Sequence, residues 1–171
     1  MIKLIIPEKR FLKSYKEVRE DYIRNNITSI VLDDPEAIDI FKKYDDFRNG
    51  RNLPDGFVPS DEYWLVDDEK DYFIGKVSIR HKLNSYLERF GGHIGYAVRL
   101  NEWNKGYGSL LLKLALEKAG EIGIKEVLVT CNDENIGSYR VMEKNGFTLK
   151  DKIENKIDGK DIITRRYTKT L

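Results

Sequence analysis

The spacing of hydrophobic positions changes several times along the chain, and each change marks a new element. A short apolar run, "KLIIP", predicts an opening strand. Apolar residues at helical spacing then predict a first helix, and they are Phe11, Tyr15, Val18 and Tyr22. A second helix is predicted over "DDPEAIDIFKKYDDFRNG", with Asp34 as N-cap, Pro35 in the first helical position and Gly50 as the stop.

The middle of the chain is rich in aromatic and β-branched residues, which favour strands. A polar stretch with three Pro or Gly residues, "RNLPDGFVPSDE", is typical of an exposed loop and precedes them. Three runs separated by turn-prone segments then predict an antiparallel meander: "YWLVDD", "YFIGKVSIRHKL" and "HIGYAVRL". From Gly106 the period becomes helical, and the apolar stripe contains Leu111, Ala115 and Ala119.

The last third of the chain predicts a strand, a helix and a hairpin. "EVLVTC" is the strand, and the following helix has Asn135 near its start and Gly146 just after its end. Two alternating runs joined by Asp158-Gly159 predict the hairpin. The whole order is β-α-α-β-β-β-α-β-α-β-β, which predicts an α/β protein with one mixed sheet.

Composition narrows the classes of protein that fit. A chain of 171 residues fits one domain, 1–171, and needs no metal or disulfide to fold. The formal net charge of +1 gives no overall attraction to nucleic acid or to a membrane surface. No apolar run is long enough to cross a bilayer, and the N-terminal stretch lacks the apolar core of a signal peptide. With Cys131 as the single cysteine, a reducing cytoplasm is the expected location.

The segment "WNKGYGSLLLKLALEKA" places two glycines at the start of the helix that is predicted from Gly106. The first amides of a helix have no partner within it and carry part of the helix dipole, so a strand–loop–helix junction favours an anion. Neither the dinucleotide fingerprint nor the P-loop fits, because Leu111 stands where a third glycine is needed and no Gly-Lys-Ser/Thr occurs. Taken alone, the pair favours a tight turn into the helix over a phosphate site, and both interpretations stay open.

A longer pattern decides between these two interpretations. "VRLNEWNKGYGSLLLKLALEKA" followed by "VLVTCNDENIGSYRVMEKNGF" resembles the GCN5-related N-acetyltransferase (GNAT) family from about His93 to Phe147. Elsewhere only the order of elements agrees. The resemblance implies the GNAT fold, in which a bulge in the fourth strand splays it from the fifth.

The same resemblance implies acetyl-CoA as the cofactor and assigns residues to it. The diphosphate is expected on the backbone amides of Lys105, Gly106, Tyr107, Gly108 and Ser109. The pantetheine arm is expected along the fourth strand from Tyr96 to Val98, and the cofactor is also expected to meet Asn135 and Ser138. For Asn135 plain N-capping is an equal and compatible interpretation.

Two positions depart from the family's pattern. Trp103 replaces the Arg or Gln that usually precedes the glycine loop, which leaves the backbone amides to hold the anion. Met142 stands where many relatives carry the tyrosine that protonates the leaving thiolate, and methionine cannot donate that proton. The acid of the reaction is therefore not given by the motif.

Acetyl transfer to an amine needs a base for the amine and an acid for the thiolate. His93 and Glu88 are the candidates for the base, although a strand-end histidine and a solvated loop glutamate are the plainer interpretations. Tyr139, one helical turn before Met142, is the candidate acid, with Tyr107 and a water as alternatives. Cys131 as an acyl carrier lacks a histidine partner in the sequence and fits a buried thiol better.

The sequence thus predicts an enzyme that moves an acetyl group from acetyl-CoA directly to a primary amine of a small molecule or peptide. A non-catalytic module that senses acyl-CoA is the alternative, to which Met142 gives some support. A nucleic-acid-binding domain ranks last, since basic and acidic residues are interspersed. An exposed edge of the terminal hairpin makes a homodimer compatible with the sequence.

Overall fold

A computed structural model describes residues 1–28, 30–157 and 159–171 of the chain. The elements are β1 (Ile2–Ile5), α1 (Leu12–Arg24), α2 (Ile40–Arg48), β2 (Ser60–Asp67), β3 (Tyr72–Arg80), α3 (Ser85–Phe90), β4 (Ile94–Val98), α4 (Tyr107–Glu121), β5 (Glu126–Asn132), α5 (Ile136–Lys144), β6 (Thr148–Ile157) and β7 (Lys160–Thr170). Single 3₁₀ turns precede α1 and follow β4. Their order agrees with the prediction, with one short helix added.

The added helix, α3, lies in the segment between β3 and β4 that the sequence analysis treats only as a turn. It begins because the side chain of Asn84 accepts a hydrogen bond from the Leu87 amide at 2.9 Å. One buried residue, Leu87, anchors the helix, and its other positions are partly or fully exposed. A single buried position gives no periodic signal, so the pattern alone does not predict it.

The start predicted for α2 is five residues too early, since the predicted N-cap is Asp34 and the observed one is Asp39. Asp34 accepts from the Glu36 amide within a local turn, and the helix begins only at Ile40. Its N-cap is Asp39, whose carboxylate accepts from the amides of Phe41 and Lys42 at 3.1 and 3.0 Å. Two aspartates compete for the same role here, and the later one caps the helix.

The strands divide into two antiparallel sheets rather than one mixed sheet. The first has the order β1-β2-β3-β4 and the second has the order β5-β7-β6. The meander β2-β3-β4 is confirmed, as is the pairing of β6 with β7. The Asp158-Gly159 turn between β6 and β7 includes Asp158, which lies outside the described residues.

The boundary between the two sheets is the splayed fourth and fifth strand pair that the family resemblance implies. β4 is the last strand of the first sheet and β5 the first of the second. They touch at one end only, through a bridge between Gly92 and Val129 and a 2.6 Å bond from the His93 amide to the Leu128 carbonyl. Over Ile94–Val98 the register with β3 is unbroken, so the expected bulge in β4 is absent from these residues.

Two clusters of buried side chains cover the two faces of the first sheet. On the face that we call the α1/α2 face, Trp64 stacks on Tyr15 with ring centroids 4.8 Å apart. On the α4/α5 face, the α4 stripe and Met142 of α5 pack against the strands. Among the described residues, no helix combines the length and apolar character that a bilayer crossing requires.

Candidate active site

The open edge of β4 is set by its pairing with β3. The Arg99 amide donates to the Ile74 carbonyl at 2.7 Å, and the register continues as Ala97 opposite Lys76. In an antiparallel ladder hydrogen-bonded and non-hydrogen-bonded pairs alternate, so the intervening residues direct their main-chain groups away from β3. Those residues are Tyr96 and Val98, and their main-chain groups therefore face the gap beside β5.

One of these groups is already occupied. The Val98 carbonyl accepts from the Tyr22 hydroxyl and from the Trp103 indole N–H, each at 2.7 Å. Trp103 is half exposed, and its ring covers the end of β4. The residue that replaces the family's Arg or Gln therefore closes this end of the strand edge and leaves the groups of Tyr96 and the Val98 amide for a ligand.

The loop before α4 turns sharply because two of its residues, on either side of Lys105, have a left-handed backbone. Asn104 has φ +61° and Gly106, at the N-cap of α4, has φ +88°. Glycine supplies no side chain to cap the helix, and the first helical bond is Leu110 N–H to the Gly106 carbonyl. The amides of Tyr107, Gly108 and Ser109 thus have no partner within the helix, and nothing lies within 4 Å of a Cβ added at Gly106.

The second glycine has a different role. A Cβ at Gly108 would lie 3.3 Å from Cγ2 of Val141, so its absence lets α4 approach α5 closely. Asn145, which follows α5, ties the same turn by donating to the Ser109 carbonyl at 3.2 Å. The Gly-x-Gly pair therefore combines a backbone that only glycine adopts easily with a tight contact between helices.

The start of α5 lines the α4/α5 side of the gap. The Asn135 carboxamide accepts from the Ser138 amide at 3.0 Å, which confirms it as the N-cap. The Tyr96 hydroxyl reaches across from β4 to the Ser138 carbonyl at 3.2 Å and its Oγ at 3.0 Å. Burial raises the pKa of Tyr96 to about 12, so the phenol stays protonated at neutral pH. Sequence reasoning considered only the backbone of Tyr96 and missed this side-chain pair.

Cys131 lies on β5 and is partly buried. Burial raises the pKa of its thiol to about 11, which keeps it protonated and a poor nucleophile at neutral pH. This favours a packing role over an acyl-carrier role.

His93 lies at the closed end of the gap. Its Nδ1 accepts from the Leu128 amide at 3.0 Å while its own amide donates to Leu128, so the residue joins β4 to β5. Burial lowers the pKa of the imidazole, and the nearby Arg80 cation lowers it further. An imidazole that stays neutral and uses Nδ1 for a main-chain bond has its basic nitrogen occupied, which weighs against a role as general base.

The other two catalytic candidates lie apart from each other. Glu88 is exposed on α3, and its carbonyl accepts from Arg166 at 3.0 Å. Tyr139 is on α5 with the Arg165 guanidinium 4.0 Å above its ring. Met142 is fully buried in the α4/α5 cluster, so the position of the family's usual tyrosine is part of the core here. The structure does not bring His93, Glu88 and Tyr139 together into one constellation.

A buried ion pair that the sequence analysis missed lies on the α1/α2 face of the sheet. Glu62 of β2 and Lys76 of β3 are 2.7 Å apart, and their side chains are only 8% and 10% exposed. The sequence did contain a signal for this pair. Each charged residue interrupts an apolar strand at a position that strand alternation directs towards the α1/α2 face. A lysine within "YFIGKVSI" is the clearer of the two.

Three comparisons with known proteins agree with this geometry. A family model described as an acetyltransferase (GNAT) domain matches residues 11–148. The chain is 29% identical over 148 residues to a Bacillus subtilis (strain 168) protein described as the uncharacterized N-acetyltransferase YnaD, covering 84% of this chain and 78% of that protein.

Solved structures share the fold at low identity. The microcin C7 self-immunity acetyltransferase MccE, solved with acetyl-CoA and AMP, has a TM-score of 0.74 at 17% identity, covering 99% of this chain and 92% of its own. YncA from Salmonella typhimurium, solved with its cofactor acetyl-CoA, has a TM-score of 0.69 at 13% identity, covering 99% of this chain and 94% of its own.

The fold, the uncapped start of α4 and the parted strands therefore place the protein among the acetyltransferases. Since the family model spans most of its length, the chain belongs to the GNAT family and is an N-acetyltransferase.

Proposed function

We propose that this chain transfers the acetyl group of acetyl-CoA directly to a primary amine of a small molecule or peptide, within one domain spanning residues 1–171. One observation carries the proposal: the open edge of β4 runs into the uncapped N-terminus of α4. Membership in the family gives acetyl-CoA as the donor. Nothing in the structure or in the comparisons favours a non-catalytic sensor.

In this proposal the loop from Lys105 to Ser109 holds the diphosphate. Main-chain amides at the start of α4 donate to it, and the positive end of the helix dipole adds to the attraction. The Lys105 ammonium, which pairs with Glu102 at 3.1 Å, lies at the same loop. A glycine at the N-cap keeps a side chain out of the space that the anion would occupy.

The pantetheine arm lies along β4 in the manner of an added strand. Tyr96 offers both main-chain groups and Val98 offers its amide, since the Val98 carbonyl is already bonded. A backbone amide near Val98 also polarises the thioester carbonyl as a single oxyanion donor. Asn135 and Ser138 border the arm at the start of α5.

The proton for the leaving thiolate comes from the hydroxyl pair of Tyr96 and Ser138. These two groups are hydrogen-bonded to each other beside the gap, whereas Tyr139 is covered by Arg165. A phenol with a pKa of about 12 is protonated when the thiolate leaves and can restore the Ser138 proton. The protonated Cys131 thiol supports direct transfer in a ternary complex.

Two measurements test the function. Acetyl-CoA at 100 times its Kd is expected to raise the free energy of unfolding by about 2.7 kcal/mol, whereas ATP, which lacks the pantetheine arm, is expected to give much less. Thiol release from acetyl-CoA is expected with at least one member of a panel of primary amines. Absence of both stabilisation and thiol release would contradict the proposal.

A cytoplasmic location and a homodimer stay predictions from the sequence. The outer edge strands, β1 and β6, are the surfaces through which a second copy would pair.

A further inference from the structure

We infer that Glu62 is the general base that takes a proton from the acceptor amine, and that the amine reaches the thioester over Gly95 on the α1/α2 face of the sheet. This inference rests on the proposed function. Four features of the structure carry it: the row of residues that Glu62 shares with β4, the space in that row, the unpartnered polar atoms around it, and the side of the gap that remains open.

Glu62 lies in one cross-strand row with the middle of β4. It is opposite Ser78 of β3, and Ser78 is opposite Gly95 of β4. All three share the α1/α2 face, because they alternate with residues that pack on the α4/α5 face. Neighbouring strands are about 4.8 Å apart, so Glu62 and Gly95 are separated by about two strand spacings, part of which the glutamate side chain spans.

The row leaves room above β4. Ser78 is small, Gly95 has no side chain, and a Cβ added at Gly95 would meet only the Arg80 guanidinium, at 3.8 and 3.9 Å. Glu62 pairs with Lys76 at 2.7 Å, and its charge also acts on Arg80. Both cations lie on β3, on either side of Ser78.

The surroundings of Glu62 contain polar atoms without partners. Its Oε1 is ion-paired with the Lys76 ammonium at 2.7 Å, and no other hydrogen bond from the described residues reaches that oxygen. The Tyr44 hydroxyl and the Trp64 indole N–H are also buried and unpartnered within the described chain. Buried polar atoms are normally satisfied, so several together indicate a place where a polar molecule binds.

The two sides of the gap beside β4 differ. On the α4/α5 face Tyr96 and Ser138 close it, and Met142 is packed into the core behind. On the α1/α2 face β4 presents Gly95, which is partly exposed, whereas Ala97 is packed into the α1/α2 cluster. An amine can therefore approach the carbonyl carbon from the Glu62 side, opposite the hydroxyl pair that protonates the sulfur.

The proton inventory is complete. The acceptor arrives as an ammonium and gives one proton to the Glu62 carboxylate, which releases it to water. The nitrogen lone pair forms the C–N bond to the carbonyl carbon, and the C–S bond breaks with its electron pair on sulfur. The nitrogen loses a second proton, and in net terms the sulfur gains it through the Tyr96–Ser138 pair.

The charge environment makes Glu62 a stronger base than an ordinary carboxylate. Burial raises the pKa of the Glu62 carboxyl, while the Lys76 ammonium opposes that effect. The titratable and charged groups that act on Glu62 come from β3, from α1 and α2, and from the loop between these two helices. They are Lys76, Arg80, Tyr15, Tyr44, Asp33 and Lys43. A carboxylate whose pKa lies above the ordinary value is a stronger base for an ammonium.

The decisive experiment compares the pH dependence of the wild type and three variants, with the amine that the wild type acetylates best. Glu62→Gln is expected to bind acetyl-CoA as the wild type does and to lose at least about 100-fold in kcat/KM for the amine at pH 7. Its kcat/KM is expected to rise about tenfold per pH unit below the amine pKa, because only the neutral amine then reacts. The deficit relative to the wild type therefore shrinks as the pH rises.

Asp61→Asn is the matched control. Asp61 is the adjacent residue on β2, it is equally buried, and strand alternation directs it to the other face of the sheet from Glu62; its carboxylate pairs with Arg48 at 2.9 Å. This variant is expected to keep the wild-type pH profile. The double variant Glu62→Gln with Lys76→Met removes both charges together, avoids leaving a lone buried cation, and is expected to show the same pH profile as Glu62→Gln.

The outcomes separate the two proposals. Wild-type turnover together with full activity of Glu62→Gln, or with a loss that is constant across pH, would overturn the role of Glu62 and leave the acetyltransferase proposal standing. Failure of the wild type to release thiol with any amine, without stabilisation by acetyl-CoA, would overturn both.

Discussion

Two glycines at opposite ends of α4 have the same left-handed backbone. Gly106 before the helix has φ +88° and Gly123 after it has φ +87°, and a Cβ added at either meets nothing within 4 Å. An alanine at either position therefore costs conformational energy without a steric clash. The pair separates the effect of strain from the effect of a side chain placed in the proposed diphosphate site.

Gly106→Ala and Gly123→Ala are each expected to lower the free energy of unfolding by about 1–2 kcal/mol, measured by urea denaturation. Only Gly106→Ala is expected to weaken acetyl-CoA, by about tenfold or more, because its Cβ disturbs charge-assisted bonds to the main-chain amides. Equal acetyl-CoA affinities for the two variants would contradict the assignment of the loop.

His93 links stability to pH through its lowered pKa. Because the folded pKa lies below the ordinary value of 6.5, the unfolded chain takes up the proton first as the pH falls. The contribution of His93 is therefore fully present above pH 6.5 and is lost as the pH falls through the folded pKa.

His93→Asn, which keeps an acceptor near the Leu128 amide, is expected to flatten this part of the curve. The measurement is the free energy of unfolding between pH 7.5 and about 5, a range above the titration of ordinary carboxylates. The same slope for both proteins would show that the histidine does not carry the dependence.

Residues whose role depends on nearby chain positions were predictable. Asn135 and Gly146 were placed correctly at the two ends of α5, because capping is decided within a few residues. The bond of His93 to Leu128 and the pairing of Glu62 with Lys76 join different strands. These contacts form only in one register of the paired strands, and the sequence pattern does not predict that register.

At the scale of elements, the open edge of β4 makes a prediction about amide exchange. The amides of Tyr96 and Val98 face the gap, whereas the Ala97 amide belongs to the β3–β4 ladder. Acetyl-CoA at 100 times its Kd is expected to slow exchange at Tyr96 and Val98 by up to about 100-fold, measured by NMR. Ala97 provides the internal reference, and a change spread equally over all three would contradict strand-like binding.

The elements with strong periodic patterns were predicted well, and the weak ones were not. α1 and α4 bury the residues that their spacing indicated. α2 was displaced because Asp34 and Asp39 are both good caps, and α3 was missed because it buries only Leu87. The division into two sheets follows from the absence of pairing between β4 and β5, which depends on tertiary packing.

At the scale of the molecule, we propose that the chain unfolds as one domain. The first sheet is shared by both buried clusters, with α1 and α2 on one face and α4 on the other. Trp64 is fully buried in the α1/α2 cluster, so the fluorescence of a Trp103→Phe variant, in which Trp64 is the single tryptophan, reports on that side. The urea unfolding curve followed by this fluorescence is expected to coincide with the curve followed by circular dichroism. Separate midpoints would indicate two units that unfold independently.

The gap between β4 and β5 is held open by the protein's own contacts. His93 fastens one end, the Tyr96–Ser138 bond closes the α4/α5 face, and Trp103 covers the far end. A ligand that enters such a preorganised slot does not have to separate strands, so little of its binding free energy is lost to reshaping the protein. Association with acetyl-CoA should therefore follow a single bimolecular step, without a slow rearrangement before or after the encounter.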